Sequence, residues 1–588
     1  MNDCHSARAP HPWNVGRVTL LMLFGLLTSA GHAIQGIPAE ARDTVTLSVI
    51  GTTDLHGRVL PNNGRGGVAL LGGYLHNLRT ARDQDGGAVL LLDAGDTFEG
   101  GIESNLSEGS LVIDAYNALG YNALAIGNHE FDYGALDEPS ANASADDMRG
   151  ALKAAASRAD FPFLAANLID ERTGQAVAWP NVQPSTLIET ADVRVGIVGV
   201  MTYDALEKTL AAHVHGLATA PLASTVAREA ALLRRRGAEV VLLVAHAGGW
   251  CGRVDDAPTD TSSCDDESEI FQLARQLPPR LVDAIVAGHT HAAVAHEVAG
   301  IPIVQAYSRG AAFARVDLIV KRGVGVVSAH IFPPQPLCTG LDHTRRCTAG
   351  GAPPPPYEGV PVQSDASVTA AMQPELTRVE RWRQATLGVH LDRPFLRDRG
   401  ELESPLGNTF AEAFLASAPD ADVAIGMGAR RGGLRADLPR GPLTRGTLYD
   451  VFPFDNRIVT LPMTSAELAD VFERLVVRGR GGLPGISGMR VRVSCTGDQP
   501  QVTLLSASGV PVAPTEMLLV ASTDFFATRA RFGSGSMPPR EVPGSAPLVR
   551  DAAAAWFTRS SVELRDAILS SPPRWEFPTS APCIATPR

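Results

Sequence analysis

Five short segments of this chain share one design, in which an apolar run is followed at once by residue types that bind metal ions. In chain order these polar residues are Asp54 with His56, Asp96, Asn128 with His129, His246, and His289 with His291. Carboxylates, imidazoles and amides of this kind bind divalent cations such as zinc or manganese. One histidine after a strand is more often structural than a ligand, but the five segments together predict a metal centre.

The apolar runs have the length of short buried strands and lie at 47–50, 89–92, 123–126, 240–244 and 284–287. From Thr44 to about Phe332 such runs alternate with helical patterns, which predicts an α/β fold. Sites in open α/β sheets form at the carboxyl ends of strands, so the five segments are expected to converge. The two side chains of Asp-x-His or His-x-His point the same way if the backbone stays extended, and both can then reach one metal centre.

The chain has 588 residues, which is enough for two domains with full cores. A polar, proline-rich stretch from Pro333 to Pro361 indicates a domain boundary or exposed linker. A helix is predicted from Asp365 to about Leu387, and Pro374 means that it is either kinked or starts there. The predicted organisation is a first domain at 44–332, a linker with a connecting helix at 333–388, and a second mixed domain at 389–581.

Residues 1–33 have the features of a signal peptide. Arg8 and Arg17 give a positive start, the run 18–27 is apolar and short, and 30–33 offer small residues for cleavage. The alternative is an uncleaved anchor helix. The prediction is an exported protein, periplasmic or secreted, without a membrane span in the mature chain, because no other stretch has membrane length.

The cysteines fit an exported protein. Cys4 lies in the signal segment, and an even number of six remains, which indicates disulfides. The simplest pairing joins Cys251 to Cys264, Cys338 to Cys347, and Cys495 to Cys583, although about fifteen pairings are possible.

The formal net charge of -12 argues against a partner that is a nucleic-acid polymer. It does not exclude a small anionic substrate. Such a substrate needs a local positive site inside an acidic protein, and bound metal ions can supply one.

The order of the motifs in 44–332 resembles that of calcineurin-like metallophosphoesterases: Asp-x-His, Gly-Asp, Gly-Asn-His-Glu, a lone His, and Gly-His-x-His. Further along, 406–408, 432–438 and 453–456 resemble segments of the substrate-binding domain of bacterial-type 5'-nucleotidases. The resemblance covers nearly the whole mature chain. It implies a four-layer α/β sandwich followed by an α/β (α+β) substrate-binding domain.

The resemblance also implies two divalent metal ions. One would be held by Asp54, His56, Asp96 and His291, and the other by Asp96, Asn128, His246 and His289. A carboxylate such as Asp96 can bridge two cations, while imidazoles and an amide complete the site without excess charge. Paired metals clamp a phosphoryl group and activate water, so no serine or cysteine nucleophile is needed.

His129 resembles the family's catalytic histidine, which stabilises the transition state or protonates the leaving oxygen. Asp132 would hold its imidazole in the useful tautomer, although a turn or cap role is the alternative. Glu130 is expected to be structural.

The resemblance assigns substrate contacts to Asn128, Asn408, Arg435, Phe454 and Phe525. A guanidinium suits phosphate, and the two rings would sandwich a base. Each phenylalanine can instead be a core residue, and Asn408 can instead cap a helix. A further substrate arginine is expected at Arg397 or Arg399, where the alignment slips by a residue.

Two departures from the family concern specificity. Arg430 and Arg431 replace an expected Asn, and no Asp follows Phe525 to bind ribose hydroxyls. We expect weak discrimination between ribose and deoxyribose and a shift toward substrates with several phosphates. The alternative is that both arginines face solvent.

The leading interpretation is an enzyme that hydrolyses nucleoside 5'-phosphates. The enzymatic alternatives are a 2',3'-cyclic-nucleotide phosphodiesterase with 3'-nucleotidase activity, a nucleotide-sugar hydrolase, or an exported thiosulfate-ester hydrolase. A nucleotide-binding protein on a decayed scaffold is the alternative from another class. The complete ligand set argues against decay. The sequence does not predict the oligomeric state.

Overall fold

The computed structural model describes residues 43–136, 147–397, 403–428, 433–454, 456–478, 483–497, 499–529, 540–541 and 547–578. The predicted signal peptide at 1–33 lies outside these ranges, as do Arg399, Arg430, Arg431 and Cys583. Residues from Thr44 onward form one compact unit. In the part of the chain that is described, no helix combines the length and the apolar character that crossing a membrane requires.

The first half of this unit alternates strands and helices, as the sequence predicts. Its strands are β1 Thr44–Thr52, β2 Ala88–Asp93, β3 Ala123–Ala125, β4 Phe163–Leu164, β5 Leu168–Asp170, β6 Gln175–Ala176, β7 Val182–Gln183, β8 Ser185–Thr190, β9 Val193–Met201, β10 Leu217–Thr219, β11 Val240–His246, β12 Ala284–Ala287, β13 Ala293–Val298, β14 Ile301–Ala306, β15 Ala312–Lys321 and β16 Gly325–Pro336. Its α-helices are α1 Val68–Asp85, α2 Ile102–Asn105, α3 Ser110–Leu119, α4 Gly150–Arg158, α5 Ala211–Val214, α6 Leu222–Arg235, α7 Glu269–Gln276 and α8 Ala366–Gln384.

Two large sheets face each other and carry helices on their outer sides. One has the order β16-β15-β1-β2-β3-β4-β7, and the other has the order β13-β14-β12-β11-β9-β8. Three apolar cores fill the spaces: one between the sheets, one under α1, α3 and α8, and one under α6 and α7. This confirms the four-layer α/β sandwich. The central strands are apolar on both faces, as strands covered on both sides must be.

Glycine lets the two sheets approach closely at one point. A Cβ added to Gly199 of β9 would lie 2.1 Å from Leu164 Cβ of β4, in the other sheet. The strand therefore needs a residue without a side chain there.

The proline-rich stretch is not a free linker. Strand β16 continues to Pro336, past the predicted domain end at Phe332. The Tyr357 ring packs edge-on against Tyr74, with centroids 5.1 Å apart, and Arg315 binds the Glu358 carboxylate. The stretch covers the outer core of the first domain, which explains why it is ordered despite its composition.

Helix α8 follows the proline-rich stretch and begins at Ala366, eight residues before Pro374. Asp365 is its N-cap, with a carboxylate that accepts from the backbone N–H groups of Ser367 and Val368. Pro374 lies inside the helix. The interpretation in which the helix starts at Pro374 is wrong.

The second half has smaller, mixed sheets. Its strands are β17 Thr386–Leu391, β18 Val423–Ile425, β19 Gly441–Thr444, β20 Ile458–Thr464, β21 Ile486–Ser487, β22 Met489–Thr496, β23 Gln499–Ser506, β24 Met517–Thr523, β25 Arg540–Glu541 and β26 Trp575–Glu576. Its helices are α9 Pro405–Ser417, α10 Arg445–Val451, α11 Ser465–Arg478, α12 Asp524–Arg529, α13 Val549–Arg559 and α14 Val562–Ser570. The sheet orders are β21-β18-β24-β20-β25, β23-β22-β26 and β17-β19, with parallel and antiparallel pairs.

Two of the predicted disulfides are present, Cys251–Cys264 and Cys338–Cys347. Cys495 is also disulfide-bonded, and its predicted partner Cys583 lies outside the described residues.

Replacing Gly199 by alanine is expected to destabilise the protein, because the new Cβ would overlap Leu164 of the facing sheet. Overpacking a filled core costs about 1–3 kcal/mol. Urea denaturation measures the loss. Gly252→Ala is the matched control, since its added Cβ meets Ser263 O at 3.5 Å, an ordinary contact. Equal stability of the two variants would contradict the close approach of the sheets.

Candidate metal centre

The metal-ligand residue types gather where strands of both sheets end. Strands β1, β2 and β3 are parallel neighbours in one sheet, and β9, β11 and β12 are parallel neighbours in the other. The carboxyl ends of β1, β2, β3, β11 and β12 lead into the polar segments that the sequence singles out. The two sheets thus bring together side chains that are far apart in sequence.

The backbone at these side chains is not extended, so the condition for Asp-x-His and His-x-His side chains to point the same way is not met. Five residues have left-handed φ angles: Asp54 at 50°, His56 at 49°, Asp96 at 55°, His289 at 75° and His291 at 56°. Such conformations cost about 1–3 kcal/mol each and persist only where surrounding structure imposes them. Here the loops hold one another, since Asp54 N donates to Gly95 O at 2.9 Å and His56 N donates to Asp96 O at 3.0 Å.

One group consists of Asp54, His56, Asp96 and His291, whose candidate ligand atoms all lie within 4.8 Å of one another. The Nε2 atoms of His56 and His291 are 2.9 Å apart, and His291 Nε2 is 3.4 Å from Asp54 Oδ1. His56 Nδ1 donates to Glu99 O at 3.0 Å. That bond fixes the tautomer and leaves the Nε2 lone pair for a metal.

A second group consists of Asp96, His246 and His289. His246 Nε2 is 3.2 Å from Asp96 Oδ2, 3.2 Å from Asn128 Oδ1 and 3.0 Å from His289 Nδ1. His246 Nδ1 donates to Ala94 O at 2.8 Å, which again fixes the tautomer. Asp96 belongs to both groups and is placed to bridge them, as the resemblance implied.

The pKa values of these groups are shifted because the groups are buried close to one another. Burial lowers the pKa of His56 to about 4, and burial with the charge of His246 lowers the pKa of His289 to about 4. Burial also disfavours the charge on His246, but Asp96 outweighs it and raises that pKa to about 9. Burial opposes the charge on Asp96, yet the His246 imidazolium holds its pKa well below the usual range. Ring nitrogens that face each other at this distance can share a proton or bind one cation, and with the carboxylates of Asp54 and Asp96 beside them the donor set fits divalent metals.

His129 lies beside both groups and is oriented by Asp132. Its Nδ1 donates to Asp132 Oδ2 at 2.5 Å, and its Nε2 is 4.0 Å from Asp96 Oδ2. Burial lowers the pKa of His129, but the hydrogen bond and charge of Asp132 and the charge of Asp96 together raise it to about 10. Asp132 thus contacts the imidazole, and the catalytic role of this pair stays a prediction.

Glu130 holds the two neighbouring loops in place, which agrees with its expected structural role. The side chain is 1% exposed, and its carboxylate accepts from the N–H groups of Asp96, Thr97 and Gly127 at 2.9, 2.6 and 2.7 Å. One carboxylate thus fixes the loop of the bridging aspartate and the loop of Asn128.

Two contacts involve residues that sequence reasoning missed. Lys208 Nζ lies 2.9 Å from His289 Nε2, and Thr209 Oγ1 donates to Asp132 Oδ1 at 3.1 Å. Neither residue lies in a motif, and each is far in sequence from its partner, so no local pattern signals the contact.

In the second half of the chain, Arg435 and Phe454 come together. The Arg435 guanidinium carbon is 4.9 Å from the centre of the Phe454 ring. Phe525 is 53% exposed at the start of α12. The preceding Asp524 accepts from Asn456 Nδ2 at 2.8 Å, so the two predicted stacking residues lie on adjoining segments.

Asn408 does not cap a helix, and its contact with substrate stays a prediction. Ser404, not Asn408, caps α9. Asn408 is buried, its Nδ2 donates to the Glu403 carboxylate, and its Oδ1 accepts from Ile486 N at 3.0 Å. The cap interpretation is wrong, because both ends of the amide hold α9 within the domain.

Arg397 lies under the Arg435 loop, where its guanidinium donates to Arg435 O at 2.7 Å. Its alternative Arg399 lies outside the described residues. The same is true of Arg430 and Arg431, so the expected shift in substrate preference stays a prediction.

Comparison with known proteins matches both halves of the chain to families. Residues 47–293 match the calcineurin-like phosphoesterases, and residues 385–531 match the 5'-nucleotidase C-terminal domain. The cell wall protein Lmo0130 of Listeria monocytogenes is 23% identical over 556 residues, covering 88% of this chain and 67% of that protein. A 5'-nucleotidase of Vibrio cholerae is 25% identical over 459 residues, covering 73% of this chain and 76% of that protein.

Solved structures share the fold along most of the chain. A 5'-nucleotidase precursor from Thermus thermophilus aligns with a TM-score of 0.56 and 21% identity, over 91% of this chain and all of that one (100%). A putative 5'-nucleotidase from Staphylococcus aureus aligns with a TM-score of 0.63 and 16% identity, over 90% of this chain and 99% of that one.

The position of Asp96 in both ligand groups leads to a test. We expect Asp96→Ala to lose metal from both positions and His246→Ala to lose it mainly from one. Metal analysis of the purified variants measures this, with Asp266→Ala on the exposed surface as the control that keeps all its metal. Two ions per chain retained in Asp96→Ala would contradict the bridging assignment.

Proposed function

We propose that this chain, which belongs to the calcineurin-like phosphoesterases and carries a 5'-nucleotidase C-terminal domain, hydrolyses nucleoside 5'-phosphates with two divalent metal ions. The observation that carries the proposal is the pair of adjacent ligand groups that share Asp96. Phosphoester hydrolysis is the chemistry for which two metals held by one carboxylate are suited.

The residues at the strand ends would hold the metals as two sets. Asp54, His56, Asp96 and His291 would bind one ion, and Asp96, Asn128, His246 and His289 the other. When bound, such ions neutralise phosphate charge and lower the pKa of water. Asn128 belongs to the second set and directly precedes His129 in the chain, and we propose that it also contacts the substrate.

His129 would act on the leaving group. Water supplies the oxygen that becomes bonded to phosphorus, and the bond from phosphorus to the nucleoside 5'-oxygen breaks. The electron pair of that bond goes to the 5'-oxygen, which takes a proton from His129 Nε2. A proton from the water restores His129, so a nucleotide and water become a nucleoside and hydrogen phosphate.

The second domain would bind the nucleoside. Phe454 and Phe525 offer rings for stacking on the base, and Arg435 offers a planar donor group to phosphate. If the second domain binds the nucleoside, it determines which nucleotides are selected, while the metal centre can hydrolyse other phosphoesters that reach it.

We also propose that the protein is exported. The pattern of residues 1–33 supports this, and so do the disulfides, which persist in oxidising compartments. One relative is named as a cell wall protein, which agrees with export.

Phosphate release from a panel of substrates tests the proposed activity. The metal-reconstituted protein is expected to hydrolyse AMP faster than a cyclic nucleotide or a nucleotide sugar. Including ADP measures the preference for several phosphates that Arg430 and Arg431 predict, and including dAMP measures the weak ribose discrimination that the missing Asp after Phe525 predicts. A protein that holds metal but releases no phosphate from any nucleotide would contradict the proposal.

His129→Ala is expected to keep its metals and lose about 10²–10⁴-fold in kcat, the usual contribution of a general acid. Steady-state kinetics with AMP and metal analysis are measured on the same sample. His343→Ala, in an exposed loop, serves as the control. Loss of metal together with activity would make His129 a ligand instead.

Phe454→Ala and Phe525→Ala are expected to weaken nucleotide binding selectively. Stacking contributes about 1–3 kcal/mol per base, so KM for AMP should rise about tenfold or more. Glycerol phosphate lacks a ring, and its kcat/KM should not change. An equal loss for both substrates would indicate damage to the fold and would argue against stacking.

A further inference from the structure

The segment from Thr202 to Val214 crosses from the metal centre to the catalytic histidine. At its start, Thr202 N donates to His246 O at 2.8 Å. Near its end, His213 Nδ1 donates to Phe131 O at 2.7 Å, and the His213 side chain is buried. The segment is therefore anchored on both sides of the site.

Thr209 lies between these anchors and contacts Asp132. Its hydroxyl donates to Asp132 Oδ1 at 3.1 Å, while Asp132 Oδ2 accepts from His129 Nδ1 at 2.5 Å. Each carboxylate oxygen thus has its own donor. A carboxylate held at both oxygens cannot rotate freely, and the imidazole bonded to it keeps one orientation.

We propose that Thr209 is a positioning residue, which aims His129 Nε2 at the leaving oxygen through Asp132. This inference rests on the proposed phosphoester hydrolysis. Thr209 does not touch the reacting atoms, and it acts by restraining Asp132.

The chemistry explains why such a restraint matters. As the bond from phosphorus to the leaving oxygen breaks, the electron pair goes to that oxygen, and the proton of His129 Nε2 is transferred to it. Proton transfer needs a separation of about 2.6–3.2 Å between the heavy atoms. A misplacement of about 1 Å can reduce a rate on the order of 10²-fold.

Leaving groups differ in how much they need this proton. A nucleoside leaves as an alkoxide, which is strongly basic and must be protonated. A 4-nitrophenolate is stable without a proton. Loss of a residue that only positions the acid therefore slows nucleotide hydrolysis and spares 4-nitrophenyl phosphate, whereas general damage to the site slows both.

Thr209→Val removes the hydroxyl and keeps the shape, and Thr209→Ser restores the hydroxyl. The matched control is Thr219→Val, which removes a hydroxyl that donates to the backbone oxygen of Tyr203 at 2.9 Å. All variants are measured as full-length, metal-reconstituted protein, with metal content determined on each.

Thr209→Val is expected to lose about tenfold in kcat for AMP, with kcat for 4-nitrophenyl phosphate, KM for AMP and metal content within twofold of wild type. Thr209→Ser should recover most of the loss, and Thr219→Val should behave as wild type. An equal loss with both substrates, no loss with AMP, or failure of serine to recover the rate would overturn the proposal. Wild-type protein that hydrolyses neither substrate would overturn the proposed function itself.

Discussion

The burial of the Asp96 carboxylate is the constraint on which the rest of the site depends. The residue is 2% exposed, and an isolated charge at such a position is very costly. The chain surrounds it with imidazoles and with the N–H of His129, which donates to Asp96 Oδ1 at 2.9 Å. These partners leave Asp96 ionised at the meeting point of two ligand groups. Divalent cations in the proposed metal centre would complete the compensation of this buried charge.

The strained backbone around Asp96 requires a rigid support, and the two sheets supply it. Asp54 follows strand β1 and Asp96 follows strand β2, and both have left-handed φ angles that an unrestrained loop would not adopt. Behind them, the buried Asp93 carboxylate accepts from Gly95 N at 2.9 Å and from Tyr116 OH at 2.8 Å. The Glu130 carboxylate likewise accepts from backbone N–H groups of the Asp96 loop and of the Asn128 loop. The conformational cost is therefore offset by interactions of residues that never touch a substrate.

The sequence predicted the fold and the strand ends well, because both depend on local patterns. Apolar runs followed by ligand residue types identify parallel strands and their carboxyl ends. The left-handed backbone at Asp54 and His56 cannot be predicted from the sequence, since the geometry of those turns is imposed by the opposing loop. Packing of the proline-rich stretch, the burial of Asn408 and the contact of Thr209 with Asp132 depend on tertiary neighbours. A single sequence carries no periodic signal for such contacts.

The two halves of the molecule meet at a place that links both parts of the proposed site. Asn105, at the end of α2, follows the loop of Asp96, and its Nδ2 donates to Tyr449 OH at 3.1 Å. Tyr449 belongs to α10, which leads directly into the segment of Phe454. Ile102 and Val379 bury the Tyr449 ring in a small apolar cluster. These contacts of Tyr449 connect the loop that follows Asp96 to the segment that leads into Phe454, and so join the proposed nucleoside site to the metal centre. Specificity and chemistry can then vary separately, because the stacking rings and the metal ligands share no side chain.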